Sequence, residues 1–249
     1  MNQDTIDKMK HMKLYGMTRA FMTTFASGKD ESFTPDELLA LLIDAEWDDR
    51  YNRKLHRSII GAAFRYKASV EQISFDAHRQ SYKNQILRLA DGDFVKNKEN
   101  VLIIGSTGIG KSFIASALGH QICSLGYRVL YQQCSKLFAR LKMAKADGTY
   151  LKELARIEKF DLLILDDFGL QPLEPQNRNS LMEIIEDRHG QKSTIFTSQV
   201  PVGKWHEIIG EKTIADAILD RIVHDAHRLE LKGESLRKKG TKQQEGTEK

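Results

Sequence analysis

Long apolar runs are missing from this chain of 249 residues. None approaches the ~20 consecutive apolar residues that a membrane-spanning helix needs, so the expectation is a protein with no membrane partner. The opening stretch, MNQDTIDKMKHMKLYG, has no apolar core of the kind an export signal carries, and a cytoplasmic location is expected. Cysteine is nearly absent. The two present, Cys123 and Cys134, lie in separate predicted elements with no C-x-x-C and no nearby histidine pair, which argues against a zinc site and leaves buried thiols. No internal repeat or long linker stands out. The charge imbalance is small, +4, and permits nucleic-acid binding only where basic residues cluster. With 41% hydrophobic and 29% charged residues, the composition is that of a soluble globular protein large enough for an enzyme.

Residues 1 to about 92 carry helical signals only. A first helix is predicted from about Asp4 to Phe25, ended by ASGKDES. A second opens at TPDE, where Thr34 caps, Pro35 suits the first turn and Glu37 completes a capping box. Its pattern extends as far as Tyr66, with a kink expected near WDDR. From Asn100 the texture changes. VLIIG, RVLYQQ, FDLLILDD, KSTIFTSQ and HRLEL read as strands with helical segments between most of them, the alternation of a parallel α/β sheet. The final stretch, KKGTKQQEGTEK, is polar and reads as a disordered tail.

The strand VLIIG runs into GSTGIGKS and then into the apolar helical run FIASALGHQI, which places G-x-x-x-x-G-K-S in its required context of strand, loop and helix. Gly105, Gly108 and Gly110 let backbone N–H groups converge on phosphate oxygens, and the helix N-terminus adds its positive dipole end. Lys111 brings an ammonium to the terminal phosphates, and Ser112 offers a hydroxyl to Mg²⁺. The nucleotide set is therefore Gly105, Ser106, Thr107, Gly108, Ile109, Gly110, Lys111, Ser112 and the adjoining Phe113, with ATP and Mg²⁺ as the expected cofactors.

A second motif is LLILDDFG, four large aliphatic residues ending in two adjacent carboxylates. Like charges at the mouth of a buried strand repel and resist desolvation unless a cation or a proton-transfer task holds them. In P-loop NTPases an aspartate at the end of a hydrophobic strand shares the magnesium with the P-loop Ser or Thr, which is the position of Asp166. Asp167 is then free to orient or deprotonate the attacking water; the alternative is that it caps the turn into FGLQP.

With both motifs in view, the α/β region resembles an AAA+ ATPase. LLILDDFGLQPL, TIFTSQVPVGKWHEIIG and ADAILDRIVHDAHRLELKGESLRK are similar to the IstB family of insertion-sequence ATP-binding proteins, relatives of the DnaC helicase loaders. The resemblance implies an AAA+ fold with sheet order 5-1-4-3-2 behind a helical N-terminal domain over residues 1–74, the ATPase over 75–237 and the tail over 238–249. It also implies a homo-oligomer with nucleotide at subunit interfaces, assembly on double-stranded DNA, and a partner transposase. Carried over residue by residue, the sensor-1 position falls on Ser198 or Gln199, between which the sequence does not choose. Arg221 takes the arginine-finger position, and Arg237 looks like the sensor-2 arginine. For both arginines a solvated surface charge is the alternative. Most of the superfamily has Glu where this chain has Asp167, and the shorter arm implies slow hydrolysis.

Two basic clusters are candidate DNA contacts. Arg50, Arg53, Lys54 and Arg57 share one face of the second predicted helix, with Asp48 and Asp49 at hand as competing partners. Lys136, Arg140, Lys142 and Lys145 follow the second strand, in the region that resembles the DNA-gripping insertion of initiator-type AAA+ proteins. Neither shows a base-reading motif, so phosphate contacts with little sequence specificity are expected. His224 and His227 lack a third ligand, and Trp47 and Trp205 read as packing residues. The functions that compete are an ATPase that marks or remodels DNA for a transposase, a replicative helicase loader, a P-loop phosphotransferase, and a nucleotide-gated scaffold.

Overall fold

The computed structural model describes residues 3–26, 28, 33–75 and 80–233. Its internal contacts divide the chain into two units, residues 1–57 and 58–249. The first unit opens with α1 (Gln3–His11) and α2 (Tyr15–Ala26) in place of the single helix that the sequence pattern suggests. The chain turns between them, where Lys13 adopts φ 60°. The reason is tertiary. Glu46 accepts the backbone N–H groups of Gly16 at 2.9 Å and Met17 at 3.2 Å, capping α2 from a distant part of the sequence. A Cβ at Gly16 would stand 2.2 Å from the Ala45 carbonyl oxygen, so only glycine permits this approach.

Helix α3 (Pro35–Ala62) starts where the capping box places it. The Thr34 N–H and hydroxyl donate to Glu37 at 2.8 and 2.9 Å, and the Glu37 N–H returns a long bond of 3.4 Å to Thr34. It is assigned as one helix through WDDR and stops short of Tyr66, because Ala63 turns left-handed at φ 57°. Trp47 is 73% exposed, which corrects its reading as a packing residue.

In the second unit, α4 (Gln80–Ala90) and α5 (Asp93–Lys96) precede the sheet. Then follow β1 (Val101–Gly105), α6 (Lys111–Ser124), β2 (Val129–Gln133), α7 (Cys134–Ala146), α8 (Tyr150–Glu158) and β3 (Leu162–Phe168). The chain closes through α9 (Pro175–Arg188), β4 (Ser193–Ser198), α10 (Trp205–Ile209), α11 (Lys212–Val223) and β5 (His227–Leu231). The five strands are parallel in the order β2-β3-β4-β1-β5, the implied order read from the opposite edge. Strands β1, β3 and β4 are buried almost throughout, as helices on both faces require. Leu102, Ile104, Leu163, Leu165 and Phe196 pack on one face with α7, α9 and α11, and the fully buried Trp205 lies 4.7 Å from the Phe168 ring. As expected, Trp205 is a packing residue; its indole N–H donates to the Val200 carbonyl at 2.9 Å.

The start of β4 is held by a buried cation. Arg188, 2% exposed at the end of α9, donates to the Thr194 hydroxyl at 3.1 Å and to the carbonyls of Phe160, at 3.0 Å, and Ser193. Burial lowers its pKa to about 10, so it stays charged at neutral pH. Arg188→Met fills the space but leaves those acceptors unpaired. We expect it to lower unfolding free energy by about 2–4 kcal/mol in urea titrations, the cost of several buried neutral acceptors left unsatisfied at about 1–3 kcal/mol each with partial relaxation.

Candidate functional site

The site forms where β1, β3 and β4 end on one edge of the sheet. Beyond Gly105 the loop reaches α6 through Gly108 at φ 79° and Gly110 at φ 103°, conformations that favour glycine. Ile109, 1% exposed, anchors the loop from beneath. Lys111 begins α6 and folds back across the loop, its Nζ donating to the carbonyls of Gly105 at 2.8 Å and Ser106 at 2.9 Å. Burial lowers its pKa, and the nearby Asp167 and Asp166 act in the opposite direction. An ammonium held across a loop of converging N–H groups at a helix N-terminus fits a polyphosphate.

Strand β3 carries a bulge. Pairing of β3 with β4 steps from Leu165↔Phe196 to Phe168↔Ser198, so β3 spends one residue more than its partner. That residue lies in the Asp166–Asp167 pair, and Asp167 takes φ 60°. In a regular strand the two side chains would point to opposite faces. Here both reach the Arg65 guanidinium, at 3.4 Å from Asp166 and 3.3 Å from Asp167. Thr197 sustains the distortion by accepting the Asp167 N–H at 3.1 Å while its hydroxyl donates to Asp166.

Asp166 is fully buried and saturated with donors. Ser112 Oγ donates at 2.8 Å, and the hydroxyls of Thr197 and Tyr131 also donate to it. Burial, then the carboxylate, pushes the Tyr131 phenol far above its ordinary range, so it stays a donor. Asp167 keeps 16% side-chain exposure and accepts from Gln133 Nε2 at 3.2 Å. The oxygens of Ser112, Asp166 and Thr197 form a hard, sulfur-free donor set, which suits Mg²⁺.

The two sensor-1 candidates separate in space. Ser198 is buried and its hydroxyl donates to the Phe168 carbonyl at 2.7 Å, whereas the Gln199 side chain accepts a hydrogen bond from Thr107 in the phosphate loop. Arg221 stands at the other end of the sheet. Asn100, just before β1, donates to the Arg221 carbonyl at 3.1 Å, and Gly105 lies five residues further along the strand, about 16 Å away at ~3.3 Å per residue. The Arg221 guanidinium pairs with Glu186 at 2.9 Å and donates to the Ala217 carbonyl, beside a polar cavity of about 570 Å³ that Lys98, Lys192 and His224 also line. Arg237 lies outside the described residues, as does the tail.

The basic clusters are partly engaged. Arg50 pairs with Glu46 at 2.7 Å, and Arg53 with Asp49 and, at 3.7 Å, Glu46; Asp49 is one of the two acids expected nearby. Arg57 bonds back to its own helix at the Arg53 carbonyl, and Lys54 is exposed. On α7, Arg140 pairs with Glu153 at 3.1 Å, Lys142 with Glu174 at 3.6 Å, and Lys145 stacks over the Tyr150 ring, while Lys136 is exposed. Reading the sequence alone missed Arg65, Tyr131, Gln133 and Thr197. Thr197 had a signal, lying just before the Ser198–Gln199 pair; the others reach the site only through the fold.

A family model described as IstB-like ATP binding protein matches residues 7–244. An insertion-sequence ATP-binding protein of Sinorhizobium fredii is 46% identical over 94% of this chain and 96% of its own length. An insertion sequence IS1162 ATP-binding protein of Pseudomonas fluorescens is 39% identical over 81% of this chain and 87% of its own. Among solved structures, the DnaC helicase loader superposes with a TM-score of 0.58 at 20% identity, covering 67% of this chain and 98% of that one, a likeness of fold.

The bulge makes a test of its own. Glycine tolerates φ 60° and alanine does not, so Asp167→Gly should exceed Asp167→Ala in stability by about 1 kcal/mol in thermal or urea unfolding. Equal stabilities would mean that residue 167 is not held left-handed.

Proposed function

Because the chain belongs to the IstB-like ATP-binding protein family, we propose that this AAA+ P-loop ATPase assembles on double-stranded DNA with ATP and recruits or activates a partner transposase. Insertion-sequence relatives matched along nearly the whole chain favour this over helicase loading, since the likeness to the loader is one of fold. The phosphate loop and the N-terminus of α6 hold the triphosphate, and Lys111 exchanges its carbonyl partners for phosphate oxygens. Ser112 and Asp166 hold the magnesium, which when bound offsets charge on the phosphates. Asp167 aligns the attacking water and takes its proton as the β–γ phosphoanhydride breaks and ADP leaves. Gln199, in contact with Thr107, is the member of the sensor pair we assign to the terminal phosphate.

The observation that carries an oligomeric mechanism is the distance of Arg221 from its own phosphate loop. A cation at the starts of the strands does not reach a site at their ends in the same subunit, which leaves it available to a neighbour's. We expect Arg221→Ala and Asp167→Asn each to bind ATP and to hydrolyse it poorly, the first through a loss of ~10³- to 10⁵-fold typical of arginine fingers, the second through ~10²- to 10⁴-fold for a lost base. In a mixture of the two, with DNA present and subunit exchange verified, some interfaces pair an intact Asp167 with an intact Arg221, and turnover should recover. No recovery would remove the shared-site reading.

For DNA we assign the α7 cluster first, because Lys136 is exposed and Lys142 and Lys145 make only surface contacts. Lys136→Glu combined with Lys142→Glu should weaken binding to unrelated duplexes alike and reduce the slope of log affinity against log salt by about 2, one unit per lost phosphate contact. ATP binding by the free protein should stay unchanged.

A further inference from the structure

Four residues that follow α3 lie across α6. Ala63, left-handed at φ 57°, ends the helix and turns the chain. Phe64 then stacks on His120 at 4.4 Å and meets the edge of Tyr131 at 6.3 Å. Its ring sits so close to α6 that a Cβ on Gly119 would stand 2.4 Å from it; glycine is required there for the contact. Tyr66 approaches Phe113, the residue after Ser112, at 6.1 Å. Two aromatic anchors thus fix the backbone on either side of Arg65, whose guanidinium bridges Asp166 and Asp167.

The position of that guanidinium decides its role. It meets the carboxylates on the side of Tyr131 and Gln133, which bond the same Oδ2 atoms, while Ser112 and Thr197 take Asp166 Oδ1. Its hydrogen bonds among the described residues go to the two carboxylates, and Lys111 is the cation that spans the phosphate loop. Arg65 therefore offsets one of the pair's two negative charges, and it does so at Oδ2 of the same Asp166 carboxylate whose Oδ1 faces Ser112, where a divalent cation would be held.

We propose that Arg65 is the built-in counter-ion of the Asp166–Asp167 pair and opposes the divalent cation through the shared Asp166 carboxylate, so that metal loading favours release of the carboxylates by the strap of residues 63–66. The proposal rests on the assignment of Asp166 and Ser112 to the metal. It gives the strap a function beyond packing. The chain's own arginine sets the magnesium concentration at which nucleotide is held in its hydrolysable form, and release of the strap reports loading to the end of α3.

The test is equilibrium binding of a fluorescent ATP analogue to the full chain, in EDTA and across a magnesium series. Arg65→Ala should lower the half-saturating magnesium concentration roughly three- to tenfold, the range of a partly exposed charge-assisted pair, and leave affinity in EDTA within about twofold. Arg65→Lys, which keeps the charge, should stay close to the unaltered chain. Hydrogen exchange in the unaltered chain should quicken over residues 63–69 when magnesium joins the nucleotide complex. An unchanged half-saturation in Arg65→Ala overturns the proposal alone, and so does exchange that magnesium leaves unaltered. Weaker binding of Arg65→Ala in EDTA would make Arg65 a phosphate ligand and equally overturn it. If the unaltered chain binds nucleotide with no magnesium dependence, or binds none, the metal or nucleotide assignment itself fails, and the proposal with it.

Discussion

Two carboxylates side by side at the end of a buried strand repel each other and resist leaving water, and the architecture around β3 answers that problem. The bulge brings Asp167 out of strand alternation, Thr197 accepts the N–H that the ladder loses, and three hydroxyls saturate Asp166. Each of these groups comes from a different segment. Ser112 opens α6, Tyr131 lies in β2, Thr197 in β4, and Arg65 follows α3. Holding one acidic pair in place thus fixes the mutual positions of three strands and the phosphate-loop helix.

The strand order explains why this is possible. Placing β3 between β2 and β4 puts Tyr131 and Gln133 on one flank of the carboxylates and Thr197 on the other. Placing β1 beside β4 sets the phosphate loop next to Gln199, which bonds Thr107 across the gap. In a parallel sheet all strand ends face one way, so the loop, the acids and the polar end of β4 gather at one edge without long connections. A sheet with β1 and β4 apart would separate the glycine-rich loop from the acidic end of β3.

What was legible in the sequence was what is local. The phosphate loop needs its glycines and lysine at fixed spacing, and the strands buried on both faces, β1 and β3 above all, announce themselves as apolar runs. The break between α1 and α2 was illegible because no strong breaker marks Met12–Leu14; it is imposed by Glu46, thirty positions beyond Gly16. The same carboxylate and Asp49 engage Arg50 and Arg53, so a stripe that reads as a phosphate surface on a helical wheel is half committed to internal pairing. Arg65 escaped for a related reason. Its nearest sequence neighbours are an aromatic anchor on each side, and only the approach of Phe64 to Gly119 reveals that it points at residues a hundred positions away.

Arg221 completes the logic by its distance. Its Nε pairs with Glu186 and one terminal nitrogen donates to the Ala217 carbonyl, so in the shared-site arrangement proposed above the guanidinium is already oriented, which would reduce the ordering cost of inserting it into another subunit's site. Arg65 is the opposite case, a cation of the same subunit already within reach of the acids. In that proposed arrangement one arginine supplies charge only when a second subunit is present, and the other supplies it beforehand. On the proposed assignment of Arg221, such an ATPase holds one positive charge on its acidic pair while alone and receives a second, transition-state cation on assembly, which would tie hydrolysis to the oligomer through two positive charges at opposite ends of one sheet.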